Sequence, residues 1–232
     1  MPLVVRTWNL YHGRTVPASG RTYVERAVRL VTDDRPDVVA LQEVPVWDLE
    51  ALGEWSGMLA TTAVARPRRL GEVGRRLTAA LPDLVRSGFS GQGNALLLAA
   101  RHRLAGNARV VELNPGSARE RRVCQLVPIE AGARRLVVAN LHATAHGERL
   151  AREELAVAAD ALAGEEQAVA CGDFNVPGAG LPGFSPPLPG IDQVLVRGLA
   201  LERPPEPWPE ACRRLPDGRL LSDHAPVEAV VA

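Results

Sequence analysis

Several short polar segments in this chain are not explained by hydrophobic burial. They are Trp8-Asn9, Gln42-Glu43, Asn140-Leu141-His142, Gly172-Asp173-Phe174-Asn175, Ile191-Asp192-Gln193 and Ser222-Asp223-His224. Glu43, Asp173, Asp192 and Asp223 supply carboxylates, Asn9, Asn140 and Asn175 supply amides, and His142 and His224 supply imidazoles. Carboxylates and amide carbonyls are hard oxygen ligands suited to Mg²⁺ or Mn²⁺, whereas zinc asks for more His or Cys. Magnesium keeps several waters and takes one or two protein carboxylates plus substrate phosphate. Histidines with carboxylate neighbours offer proton transfer and charge stabilisation, and asparagines donate to phosphate oxygens. The combination points to hydrolysis of a phosphate ester.

Each segment alone is ambiguous. A lone Glu43 reads as a solvated strand end, and a lone Asn9 as a turn or helix cap. GDFN divides evenly between a turn and a site. Asn140 and His142 share one strand face, which also suits satisfied core polar groups. SDH reads equally as a cap. The weight lies in their shared context, because every one sits at the end of an expected strand. In layered α/β proteins, strand ends meeting on one edge of the sheets are the usual place for chemistry.

The elements that must position these residues alternate strand and helix, then become mostly strand. Residues 3–8 read as a strand. Val24, Ala27, Val28 and Val31 have the spacing of an amphipathic helix over 22–32. After Pro36, Asp37 to Gln42 reads as a buried strand. Residues 46–87 are harder to read and include an expected helix near Glu72–Leu81. The runs Ala95–Ala99, Arg109–Leu113, Val123–Ile129 and Arg135–Leu141, separated by turn residues, predict an antiparallel meander. Residues 148–163 predict a second helix with Leu155, Ala158, Ala159 and Leu162 on one face. Strands are expected at Gln167–Cys171, Asp192–Val196 and Ala225–Val231, with Pro-rich loops at 176–190 and 203–209. The first of these loops is either a substrate-contact loop or a plain connection.

The chain has 232 residues, enough for one sizeable domain, and no internal repeat or linker divides it. Its formal net charge is zero, so no global basic field advertises nucleic acid. All 27 basic residues are arginine, which fits biased codon usage better than heavy phosphate contact. Cys124, Cys171 and Cys212 are odd in number and far apart, which excludes a disulfide framework and a zinc site. The first residues read directly as a strand rather than a signal peptide, and no apolar run approaches a membrane span. A cytoplasmic enzyme without a membrane anchor is the expectation, monomeric by default.

The motifs TWN, LQEV, NLH, GDFN, ID and SDH occur in an order that resembles the endonuclease/exonuclease/phosphatase superfamily, from residue 7 to residue 227. Gly93-Asn94-Ala95-Leu96-Leu97 is similar to a further family segment, although its usual Ser-Arg continuation is replaced here by Leu98-Ala99-Ala100-Arg101. The resemblance implies a DNase I-like, four-layer α/β sandwich, with two mixed sheets face to face and helices outside. It implies Glu43 as principal metal ligand with Asn9 beside it and Asp223 near the ion, which would be Mg²⁺ or alternatively Mn²⁺. It implies that Asp173 positions or deprotonates the attacking water. Asn175 and Asn9 would contact the phosphate, His142 would bind it or assist the leaving group, His224 would contact it or act as base, and Asp192 would orient the His224 ring. Which residue is the general base stays open.

Other polar residues carry less weight. His12 is expected to shape its turn, with a reach into the site as the alternative, and His102 and His146 to lie on the surface. Arg119, Arg121 and Arg122 read as a solvated cluster, with one of them as an alternative phosphate contact. Arg66, Arg68, Arg69, Arg75 and Arg76 could track a nucleic-acid backbone, but neighbouring acids dilute them. Trp208 is expected to pack rather than to stack on a base. Ser87 to Gly93 lacks the spacing of a nucleophile elbow. The leading expectation is a phosphodiesterase acting on nucleic acid. The alternatives are a phosphoesterase on a small molecule or lipid headgroup, and a non-catalytic binding domain of the same fold.

Overall fold

The computed structural model describes residues 2–67, 71, 73, 74, 76, 89–116 and 120–232. Most of the helix expected near Glu72–Leu81, and Arg68, Arg69, Arg75 and Arg119, lie outside them.

Two strand–helix–strand units form the centre. In the first, β1 (Leu3–Asn9) and β3 (Val38–Val44) pair in parallel and are joined through α1 (Val24–Thr32). In the second, β9 (Arg134–His142) and β10 (Ala168–Asp173) pair in parallel through α3 (Glu148–Ala161). Parallel neighbours need such a crossover, which the helix supplies while covering one face of its sheet.

Antiparallel strands extend each unit. The first sheet runs β12 (Leu201–Pro207), β14 (Val227–Val231), β1, β3, β5 (Gln92–Leu98), β4 (Leu59–Arg66). The second runs β11 (Asp192–Arg197), β10, β9, β8 (Val123–Ala131), β6 (Arg103–Leu104), with β7 (Arg109–Glu112) also on β8. A small ribbon of β2 (Thr15–Val16) and β13 (Leu220–Leu221) stitches two loops together. A short α2 (Leu52–Ser56) follows a 3-10 segment after β3.

Strand alternation sorts the core into three slabs. Val5, Val38, Ala40 and Leu96 of the first sheet meet Val127, Val138, Val169 and Val194 of the second between the sheets. Val39, Leu41 and Leu97 face outward onto Val24, Ala27, Val28 and Val31, the expected face of α1. Leu126, Ala139, Leu141 and Ala170 face outward onto Ala151, Leu155 and Ala158 of α3. Helix, sheet, sheet, helix is the expected four-layer sandwich. Because both faces of the central strands are buried, those strands read as continuous apolar runs.

Three expectations need correction. The run at 95–99 does not join the meander: β5 pairs with β3 and β4 in the first sheet, while β7, β8 and β9 form the antiparallel set in the second. Strand pairing is non-local, so an apolar run buried on both faces carries no mark of its sheet. Residues 203–209 are mostly strand. Arg203 to Pro207 belong to β12, an edge strand with register shifts, where prolines are tolerated because one side needs no amide donor. The expected surface residue His102 is buried, with its side chain 4% exposed against Asp37. Trp208 packs as expected, under the Arg6 guanidinium at 4.7 Å.

Candidate active site

The C-terminal ends of β1, β3, β9 and β10 and the starts of β11 and β14 share one edge of the sandwich. Register places Asn9 beside Gln42, and Asp173 beside both His142 and Asp192. At Glu43 the β3–β5 ladder slips between Leu41 and Val44, and Glu43 takes φ 52°. Such a bulge re-aims a side chain that the regular pleat would direct elsewhere. Gly172 lets β10 reach its end, because a Cβ there would lie 1.9 Å from the Leu141 carbonyl oxygen.

A buried amide layer locks the two sheets just below this edge. The Gln42 side-chain amide donates to Asn140 Oδ1 at 2.8 Å and to Thr7 Oγ1 at 3.0 Å. Asn140 Nδ2 donates to the carbonyls of Leu41 and Ala95. Asn140 is therefore a cross-sheet clamp, while His142, two residues on, reaches the site.

The expected site residues are joined as follows. Asn9 Nδ2 donates to Asp173 Oδ2 at 2.9 Å, and Asn9 Oδ1 accepts the Tyr11 amide. His142 Nε2 lies 3.6 Å from Asp173 Oδ2 and 3.8 Å from Glu43 Oε1. His224 Nδ1 lies 2.8 Å from Asp192 Oδ2, while its Nε2 faces Asp173 Oδ2 at 3.8 Å. Asn175, at φ 52°, gives its amide N–H to Asp173 Oδ1 and a side-chain N–H to the Ala143 carbonyl. Asp223 is nearly half exposed and lies 3.9 Å from His224 Nε2.

Burial is the largest single influence on the titrating groups of the site. Burial raises Glu43 to about 7 despite the nearby Arg122 charge. Burial and the Asp192 charge raise Asp173 to about 6. Burial opposes charge on His224, but the hydrogen bond and charge of Asp192, then the charges of Asp173 and Asp223, raise it to about 9. Burial, with Arg122, His224 and His12 nearby, holds His142 well below the usual histidine range, so that ring is neutral.

Sequence reasoning undervalued three residues. His12 is turned inward, its Nε2 3.2 Å from Glu43 Oε2. Arg122 is buried, with Nη1 at 3.0 and 3.1 Å from the two His142 ring nitrogens, a position over the ring rather than at one lone pair. Ser222, at φ 63°, donates through Oγ to the Asn9 carbonyl and accepts the His224 amide, which fixes the turn carrying His224. His12 and Arg122 had no distinguishing local pattern, and Ser222 lies in the SDH segment without its own part being marked there. Arg121, by contrast, is exposed and bound to Glu112 and the Val64 carbonyl.

The Pro/Gly loop turns away from the site. Ser185 exchanges hydrogen bonds with Val196, and Arg197 reaches back to the Pro182 carbonyl and stacks on Phe184. The loop thus caps the edge strand β11 and is a connection along most of its length.

The model of the endonuclease/exonuclease/phosphatase family matches residues 7–224. The chain belongs to that family. No curated protein matches the sequence. Among solved structures, an Enterococcus faecalis protein of unknown function superposes with a TM-score of 0.74 at 17% identity, covering 99% of each chain. An endonuclease/exonuclease/phosphatase from Beutenbergia cavernae gives 0.74 at 19% identity, over 99% of this chain and 71% of the other. A Bacteroides thetaiotaomicron mannosyl-6-phosphatase gives 0.68 at 16% identity, over 99% of each. At these identities the likeness shows the fold.

The donor set of this family member fits a divalent cation. Asp173 is buried and Glu43 half-buried, burial raises both carboxyls, and a divalent ion beside them would favour their ionised forms. Among the described residues, ligand atoms of Asp173, Asp192 and His224 lie within 4.8 Å of one another. Asp192 and His224 already bond each other, so Glu43 and Asp173, with the Asn9 side chain beside them, are the residues that would hold an ion.

Proposed function

We propose that this chain hydrolyses phosphate esters with the help of a divalent cation held by Glu43, Asn9 and Asp173. The observation that carries the reading is the His224–Asp192 pair at 2.8 Å, facing two carboxylates that burial pushes above their ordinary range. When bound, the ion would supply polarisation of the phosphoryl oxygen and neutralise developing charge.

The chain's own residues divide the remaining work. With its value raised to about 9, His224 stays protonated at neutral pH and donates from Nε2 to a phosphate oxygen. Asp192 holds that ring through Nδ1 and fixes which nitrogen faces the substrate. Asp173, with Oδ2 3.8 Å from His224 Nε2, is placed to position the attacking water or take its proton. In this reading Asp173, rather than His224, serves as the general base. Asn175 spends one side-chain N–H on Ala143 and keeps the other for a phosphate oxygen. Neutral His142 contributes a weak donor or acceptor beside the phosphate.

A compact phosphate ester suits the described surface better than a long nucleic-acid backbone. Many of its arginines, including Arg6, Arg29, Arg103, Arg149, Arg152 and Arg214, are committed to carboxylates of the same chain. Nucleic acid is the second reading, favoured by the arginine-rich stretch between 66 and 76. The test is turnover of sugar phosphates, inositol phosphates, sphingomyelin, plasmid, single-stranded DNA and RNA with Mg²⁺ or Mn²⁺, before and after chelation. Cation-dependent release of phosphate or cleavage of one substrate class is expected. Cation binding without turnover of any of them would favour a binding domain.

A further inference from the structure

We propose that His12 is a nitrogen donor of the cation site and tilts its preference toward Mn²⁺ over Mg²⁺. This rests on the phosphoesterase reading above and specifies the ion it uses.

The backbone around His12 is costly. Tyr11 (φ 49°), His12 (φ 52°) and Gly13 (φ 74°) are consecutive left-handed residues. A non-glycine residue persists in that region only where its surroundings impose it. Here the surroundings are firm. A Cβ on Gly13 would lie 2.3 Å from Val24 Cγ2, so the turn packs on the first residue of α1 as only glycine can. The Gly13 and Arg14 amides close on the carbonyls of Leu10 and Tyr11, and the Tyr23 amide closes on Gly13.

The strained turn delivers a buried imidazole to a carboxylate. His12 is 7% exposed, and its Nε2 stands 3.2 Å from Glu43 Oε2. The Tyr11 amide in the same turn holds Asn9 Oδ1, so one segment sets two candidate ligands. Two donors bound side by side to a six-coordinate divalent ion, each at about 2.1 Å, lie about 3 Å apart. Glu43 and His12 hold nearly that spacing. Magnesium favours oxygen donors throughout, whereas imidazole binds first-row transition ions well. A contact that merely orients Glu43 would help both ions alike, which makes ion discrimination the deciding quantity.

The experiment titrates metal-free wild-type protein with Mn²⁺, reading free Mn²⁺ by electron paramagnetic resonance, and then competes with Mg²⁺. His12→Gln keeps the reach of Nε2 without an imidazole, and His12→Asn suits the positive φ and guards against a folding defect. Thermal melts confirm that each variant is folded. Both variants are expected to weaken Mn²⁺ binding by at least about tenfold and Mg²⁺ binding by about threefold or less. Equal losses for the two ions, or no loss, would overturn the proposal and leave His12 as a residue that orients Glu43 or shapes the turn. Folded wild-type protein that binds neither ion would overturn the phosphoesterase reading as well. Glu43→Gln separates the cases, since it should lose both ions whatever His12 does.

Discussion

Strand β3 begins beside one carboxylate and ends on another, and the two are treated oppositely. Asp37 and Glu43 are about 20 Å apart along the strand. Asp37 Oδ2 accepts the Val4 amide, while Oδ1 accepts Arg101 and His102. Burial opposes its charge, but Arg101, His102 and the Val4 amide outweigh burial and hold its carboxyl below the usual range. Glu43 is also largely buried but has fewer donors, and is pushed up to about 7. One end is a satisfied structural joint. The other is held above its ordinary range by burial, a condition a bound cation would relieve. An imidazole–carboxylate pair alone does not separate the two, since His102–Asp37 and His224–Asp192 both qualify.

The largest effect that would break this contrast is on turnover. Glu43→Gln should lower kcat/KM by at least about a thousandfold while raising the melting temperature of the metal-free protein at pH 8, because a buried unbalanced charge is removed. Steady-state kinetics and calorimetry on one preparation check both; a lower melting temperature would place Glu43 among the structural joints.

Asp37→Asn should do the reverse, costing about 2 kcal/mol of stability at pH 7 with kcat unchanged. Its folded value is depressed, so its contribution exists above the ordinary carboxylate range and is lost as pH falls through the folded value. The deficit measured by denaturant unfolding should therefore shrink toward pH 3. A deficit independent of pH would mean packing, not charge, is what Asp37 provides.

A smaller effect concerns the metal-free protein itself. Glu43 and Asp173 have raised folded values, so the stability they contribute is fully present below about 4 and lost as pH rises through about 6 and 7. The melting temperature should fall by a few degrees over that range, and saturating Mn²⁺ should abolish the fall. A flat profile without metal would contradict the charge imbalance.

The finest distinction is between the two imidazole pairs. Activity should decline as pH rises past about 9, where His224 loses its proton. Asp192→Asn should move that limb toward the ordinary histidine value of 6.5, whereas His102→Gln should leave the pH profile in place and lower only stability. Movement of the limb in the His102 variant would erase the difference between the ends.

Much of this was legible in the chain. The apolar period of α1 and the face of α3 were correct, and the polar strand ends converge as their types suggested. Local pattern misled where the answer depended on distant partners. His102 looked like a surface residue because its partner is Asp37, 65 residues earlier. Glu154 is fully buried on α3, where helical periodicity gives no reason for a carboxylate. It is satisfied by Thr144 and Asn114, two loop residues that the crossover brings beside it.

By itself the sequence determined the central strands, the two longer helices and the residue types that point to phosphate-ester chemistry, because side-chain period and ligand chemistry are properties of neighbouring residues. Tertiary structure alone decided that β5 belongs to the first sheet, that β12 closes an edge, and that the long proline loop points away from the site. It also decided which carboxylate is satisfied and which is left charged, and it placed His12 and Arg122 beside Glu43 and His142. The physical reason is the same throughout. Strand pairing and charge balance are sums over residues far apart in the chain, and no local window contains both partners.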